Sequence, residues 1–181
     1  MKRAANKVAQ VGDWSRTSRR WALLAGSLLV GLALLAGCVS APKIDYTPAV
    51  ADFFLETTEA RAVPITLPKS GVKVAIAPTP VLRAADIVNV ELEQVDLGRC
   101  LMFQLTPAAT RDLYRYSASN QGRRLVLFIN GAAVGARRLE APLTDGAVFI
   151  FVEMPDEALP QLVTNLKRTS ADLQRSLARN R

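Results

Sequence analysis

The chain of 181 residues has no histidine at all, and only two cysteines and two tryptophans. Without imidazole, Ser-His-Asp and Cys-His relays are excluded, and so is every metal site that needs a histidine ligand. The two thiols, Cys38 and Cys100, permit at most one disulfide. Both tryptophans, Trp14 and Trp21, fall within residues 1–37, and acids are scarce there as well. Lys2, Arg3, Lys7, Arg16, Arg19 and Arg20 stand against the single acid Asp13. The whole chain carries a net charge of +7, but the part beyond residue 37 carries only +2. That is too weak a field for nucleic acid, which needs concentrated basic charge. No spacing gathers a carboxylate pair, a Ser-Lys arrangement or a ligand cluster. The expected protein is therefore not an enzyme and takes no metal or cofactor.

What the chain does have is an uninterrupted apolar run from Trp21 to Cys38 behind that basic segment. A charged start, an apolar middle and small residues at the end describe an export signal over residues 1–37. The run is slightly short for a membrane span, which takes about 20 apolar residues. Leu35-Ala36-Gly37-Cys38 resembles the lipobox of bacterial lipoproteins. The resemblance implies that Leu35, Ala36 and Gly37 are read by the signal peptidase. Cys38 would then carry a diacylglycerol thioether and an acylated amino group, an anchor held by several chains. Val39, standing where aspartate favours inner-membrane retention, implies an outer-membrane lipoprotein facing the periplasm, or in a monoderm host one outside the plasma membrane. Ser18-Arg19-Arg20-Trp21 also resembles a twin-arginine export motif, so both export routes stay open.

Residues 38–70 read as a lipidated start and tether, broken by Pro42, Pro48, Pro64 and Pro68. Proline stiffens such a spacer by fixing φ and removing a donor. Within it Phe53-Phe54 suggests a short segment docked on the domain. Residues 71–170 read as that domain. Val72–Ala77 alternates as a strand ended by Pro78. Ile87–Val95 alternates with Val88, Val90 and Leu92 on one face and Ile87, Asn89, Glu91 and Glu93 on the other. Arg99–Leu105 is an apolar strand that buries Cys100. Thr106-Pro107 then starts a helix over Pro107–Ser119, with Ala109, Leu113 and Tyr116 inward.

Arg124–Ile129 and Ala132–Leu139 flank Asn130-Gly131, the pair that favours mirror-image hairpin turns. A two-residue loop sets Leu127 opposite Val134, Arg124 opposite Arg137, and Arg123 opposite Arg138. Ala147–Glu153 is another strand. A last helix opens near Pro155 or Pro160 and presents Leu159, Leu162, Val163 and Leu166. Residues 171–181 read as its polar, loosely held end.

Neighbouring antiparallel strands with two one-faced helices predict an α+β fold, a two-layer sandwich with both helices on one face of a mainly antiparallel sheet. Residues of about 88–167 resemble the head subdomain of the first periplasmic domain of SecD, an accessory protein of the secretory translocase. The likeness runs through Gly98–Thr106, Asn120–Gly131, Ala141-Pro142-Leu143 and Gly146. In that family the subdomain handles translocating polypeptide; for this chain the resemblance implies a ferredoxin-like sandwich that contacts other proteins.

Alternation places Cys100, Met102, Gln104, Val126, Phe128, Phe149 and Phe151 on the sheet face away from the helices. An apolar face of that kind marks an interaction surface. Either it meets an envelope protein, through Met102, Val126, Phe128, Phe149 and Phe151 above all, or the tether folds over it through Phe53 and Phe54. The alternative function is binding of an anionic ligand or envelope polymer by Arg123, Arg124, Arg137 and Arg138, since guanidinium forks suit phosphate and carboxylate.

Overall fold

In a computed structural model of the chain, residues 45–179 are described, and among them are eight strands and two α-helices. In chain order these are β1 Ala51–Leu55, β2 Val63–Thr66, β3 Lys73–Ile76, β4 Ile87–Val95, β5 Gly98–Leu105, α1 Pro107–Ser119, β6 Arg124–Ile129, β7 Ala132–Arg138, β8 Ala147–Ile150 and α2 Leu159–Arg179. The strands form antiparallel ladders in the orders β1-β6-β7, β4-β5-β8 and β2-β3. Both helices lie on one face, so the α+β, ferredoxin-like two-layer sandwich is the observed architecture.

One apolar core joins the two three-stranded sheets to the helices. Leu101, Phe103, Val148 and Ile150 come from one sheet, Phe53, Leu125 and Leu127 from the other, and Leu113, Val163 and Leu166 from the helices. Phe53 and Phe103 are both fully buried, and their rings meet edge to face at 5.1 Å between centroids.

Phe53 lies in the stretch expected to be tether. Instead, β1 pairs along its whole length with β6, Ala51 opposite Ile129 through Leu55 opposite Leu125. Its burial alternates with period 2, Phe53 inward and Phe54 half-buried on the other face. The residues before it are fastened too. The Ala49 amide donates to Thr169 Oγ1 at 3.0 Å, and the Val50 amide to Asn130 Oδ1 at 2.8 Å. The Tyr46 hydroxyl donates to Asp172 Oδ2 at 2.6 Å, and Arg168 Nη1 lies 3.5 Å from Asp45 Oδ1. Pro64 lies within β2, paired with Ala75, so a proline there does not release the chain.

Helix α1 starts as its sequence dictates: Thr106 Oγ1 accepts from the Ala109 amide at 3.2 Å, and Pro107 occupies the first turn. Its buried stripe is Ala109, Leu113 and Ser117. Tyr116, expected inward, is exposed, because the i, i+4 spacing runs through Ser117, whose Oγ accepts from the Leu143 amide at 2.9 Å. A 3-10 turn over Asp156–Ala158 precedes α2, so Pro160 falls in the first helical turn, where its missing N–H costs nothing. Within the last turns of α2, Gln174 Nε2 donates to the Ala85 carbonyl at 2.8 Å, which ties the helix to the domain as far as that residue.

Two bulges alter the expected faces. In β4 the register shifts between Ile87 and Asn89, which buries Ile87 and turns Val88 outward. In β7, Val134 is the extra residue. The Asn130-Gly131 turn has positive φ at both residues, and Ile129 pairs with Ala132 as expected. Beyond it, however, Leu127 lies opposite Gly135, not Val134. The bulge leaves the Val134 carbonyl to accept from the Glu153 amide at 2.6 Å, drawing the chain after β8 across β7.

That crossing requires Gly135. A Cβ there would collide with the Phe151 carbonyl, a backbone group that cannot swing aside. Replacing Gly135 with alanine is expected to destabilise the domain by about 1–3 kcal/mol, read as a lower urea midpoint at unchanged slope.

Candidate interaction surface

The face away from the helices is built by β4, β5 and β8 on one side and by β6 and β7 on the other. Register lines up Glu91, Met102 and Phe149 across the first three strands, with Asn89, Gln104 and Ala147 as the next row. Phe149 is 40% exposed and Phe151, two residues on, 43% exposed, while Met102 beside them is half-buried. Polar groups border this apolar strip. Asn89 Nδ2 donates to Glu91 Oε1 at 3.0 Å and to Gln104 Oε1 at 3.3 Å, and Lys167 Nζ stands 3.9 Å from Glu91.

The β6 half of the face is covered. The β2–β3 hairpin lays Leu67, Val74 and Ile76 against Val126, with Phe54, Ile65 and Phe128 packed around them. Phe54 and Phe128 meet at 4.7 Å between ring centroids. Of the five residues expected to form the face, Met102, Phe149 and Phe151 remain accessible. Val126 is fully buried and Phe128 half-buried, because Phe54 and the β2–β3 hairpin, part expected tether and part expected domain, fold over them.

Cys100, on the same side of β5, is buried. Burial pushes its thiol pKa up and the Glu93 charge adds to this, while Arg137 opposes both.

Glu153 fastens the hairpin. Its Oε2 accepts from the Lys69 amide at 2.7 Å and from the Ser70 amide at 2.9 Å, both in the β2–β3 turn. Desolvation raises its pKa, but the Ser70 and Lys69 hydrogen bonds and the Lys69 charge outweigh it and hold the carboxyl below its ordinary value.

The four arginines are re-paired relative to the expected register. The β7 bulge sets Arg124 opposite Arg138 and Arg137 opposite Leu125. Arg124 is engaged by Glu56, whose Oε2 accepts its amide at 2.8 Å and whose Oε1 lies 3.4 Å from its guanidinium. Arg137 Nη1 donates to the Phe149 carbonyl at 3.1 Å, bridging β7 to the open edge of β8. Arg123 and Arg138 are exposed. Sequence reasoning overlooked Glu56 and Glu153 as partners, since each acts on residues more than 65 positions away.

Among the described residues, no group of three or more Cys, Asp or Glu side chains is placed to hold a metal ion, and no helix is long and apolar enough to cross a membrane. Neither a family model nor a curated protein matches the chain. Solved structures do. A crystal structure of SecDF in its super-membrane-facing form aligns over 66% of this chain with a TM-score of 0.53 and 18% identity. This chain spans 18% of that one. A structure of SecDF, described as a membrane component that enhances protein export, aligns over 71% of each chain with a TM-score of 0.52 and 18% identity. The described fold is shared with a part of SecDF.

This agrees with the resemblance of residues 88–167 to a SecD periplasmic subdomain, and it corrects the expected address. The shared fold belongs to SecDF, a membrane component by its own description, not to an outer-membrane lipoprotein. The outer-membrane, lipid-anchored placement is withdrawn. Leu35, Ala36, Gly37 and Cys38, on which it rested, lie outside the described residues.

With Cys38 replaced by serine so that one thiol remains, Cys100 is expected to resist a thiol-specific disulfide reagent in the native protein. It should react at the rate of a free cysteine once the protein is unfolded, as its burial and raised pKa require. Rapid native labelling, followed by absorbance, would show the β5 face to be open.

Proposed function

We propose that this domain is a non-enzymatic protein-interaction module of the cell envelope, whose contact surface is the strip Met102, Phe149 and Phe151. The observation that carries the reading is the pair Phe149 and Phe151, 40% and 43% exposed on adjacent outward positions of one chain segment. Large aromatics side by side in water are costly for a monomer and typical of contact surfaces. Arg137 and Glu91 stand at the margin of the strip and suit a polar rim around an apolar centre. The shared fold supports the reading, since SecDF is described as acting in protein export. Arginine-mediated anion binding has no comparable support, because Arg124 and Arg137 are already engaged.

A photo-crosslinking residue at Phe149 is expected to trap one defined envelope protein in intact cells. The same residue at Arg111, on the exposed side of α1, should trap none, and Phe151→Asp should abolish the Phe149 product while leaving the fold intact by circular dichroism. Equal products from both positions, or a product insensitive to Phe151→Asp, would remove this strip as the contact surface.

A further inference from the structure

We infer that the β2–β3 hairpin is a hinged flap that holds the β6 half of the interaction face shut, with Glu153 as its clasp. This rests on reading that face as a contact surface and adds its regulation.

Three independent observations carry it. First, the hairpin does not contribute to the main core. Leu67, Val74, Ile76 and Val126 form a separate apolar cluster, while Phe53, Phe103, Leu125 and Leu127 belong to the core on the other side of the sheet. Lifting the hairpin therefore uncovers Val126 and Phe128 without opening the space between the sheets and helices.

Second, its backbone attachments are confined to its two ends. At the base, the Thr57 amide donates to the Ala75 carbonyl at 2.8 Å and the Ala77 amide to the Leu55 carbonyl at 2.9 Å, a short hinge where the chain leaves β1. At the tip stand the two amides of Lys69 and Ser70 on Glu153. In between, β2 pairs only with β3, and Pro64 sits on its outer strand. A unit joined to the rest by one hinge, one side-chain clasp and an apolar cluster separate from the main core is the kind that opens separately from the global transition.

Third, the clasp belongs to the contact surface. Glu153 lies two residues beyond Phe151, on the stretch that crosses β7 and is pinned by the bond from its amide to Val134. A partner that seats on Phe151 and displaces this stretch moves the carboxylate away from the turn it holds. The closed hairpin then acts as an autoinhibitory contact: it occupies Val126 and Phe128, and a partner must displace it to reach them.

The test needs no partner, so its failure is separable from failure of the crosslinking experiment. Amide hydrogen exchange on the full chain, wild type against Glu153→Ala, compares the hairpin with β5. A released two-stranded hairpin is marginal in water, so opening exposes its own ladder to exchange. Loss of a charge-assisted clasp is expected to speed exchange in β2 and β3 about tenfold while leaving Leu101 and Phe103 unchanged. A second readout is the thiol of Val126→Cys in the Cys38→Ser background, a substitution of similar volume under the hairpin. Glu153→Ala should accelerate labelling of that thiol by the same factor. Equal acceleration of hairpin and β5 amides would overturn the flap by showing one cooperative unit. So would hairpin exchange and Val126→Cys labelling that both ignore Glu153.

Discussion

The edge-to-face contact of Phe53 with Phe103 is the joint on which the structure depends. It sets a ring from β1 against a ring from β5, two strands that belong to different sheets, at 5.1 Å between centroids. Aromatic pairs of this geometry add about 0.5–1.5 kcal/mol beyond the burial of their area. Position matters more than this increment. Without Phe53, the β1-β6-β7 sheet would face β4-β5-β8 across a void at the centre of the core. Once the two sheets are joined, the helices close one face and the other points outward.

What that second face offers follows from how the chain reaches β1 and leaves it. Entering along α2 and the β6–β7 turn, it passes through the core strand and then folds back as the β2–β3 hairpin over Val126 and Phe128. The outer surface is thereby divided. One half is shut by the chain itself, and the other keeps Phe149 and Phe151 in water beside Met102. Glu153 and Arg137 join the halves, one through the hairpin turn and the other through the Phe149 carbonyl. Arg137 is thereby committed to structure, as Arg124 is through Glu56, while Arg123 and Arg138 stay exposed.

Local signals were legible where a single physical cause dominates. Thr106-Pro107 marks the start of α1, Asn130-Gly131 the β6–β7 turn, and period-2 alternation the apolar strands, and together these suffice for the fold class. Effects that depend on distant partners were not legible. The strand β1 is five residues among prolines, too short for its alternation to stand out from a docked linker, and only its ladder with β6 makes it central. Gly135 is the one local sign of the bulge at Val134, since a glycine inside a strand marks a bulge or a close backbone approach, but the partner of the freed Val134 carbonyl, Glu153, lies far along the chain. A one-residue slip then changes every later pairing, moving Arg137 from its expected partner Arg124 to Leu125. The candidate face was half legible for the same reason: alternation identifies outward positions but not which of them a later fold of the chain will cover.

Joining the two sheets requires the N-terminal segment to be part of the core. The most direct test is equilibrium urea unfolding of Phe53→Ala followed by circular dichroism. A buried central ring predicts a loss of about 3–5 kcal/mol, enough to leave a domain of ordinary stability barely folded. A loss below about 1 kcal/mol, the range of surface substitutions and loosely docked linkers, would contradict it.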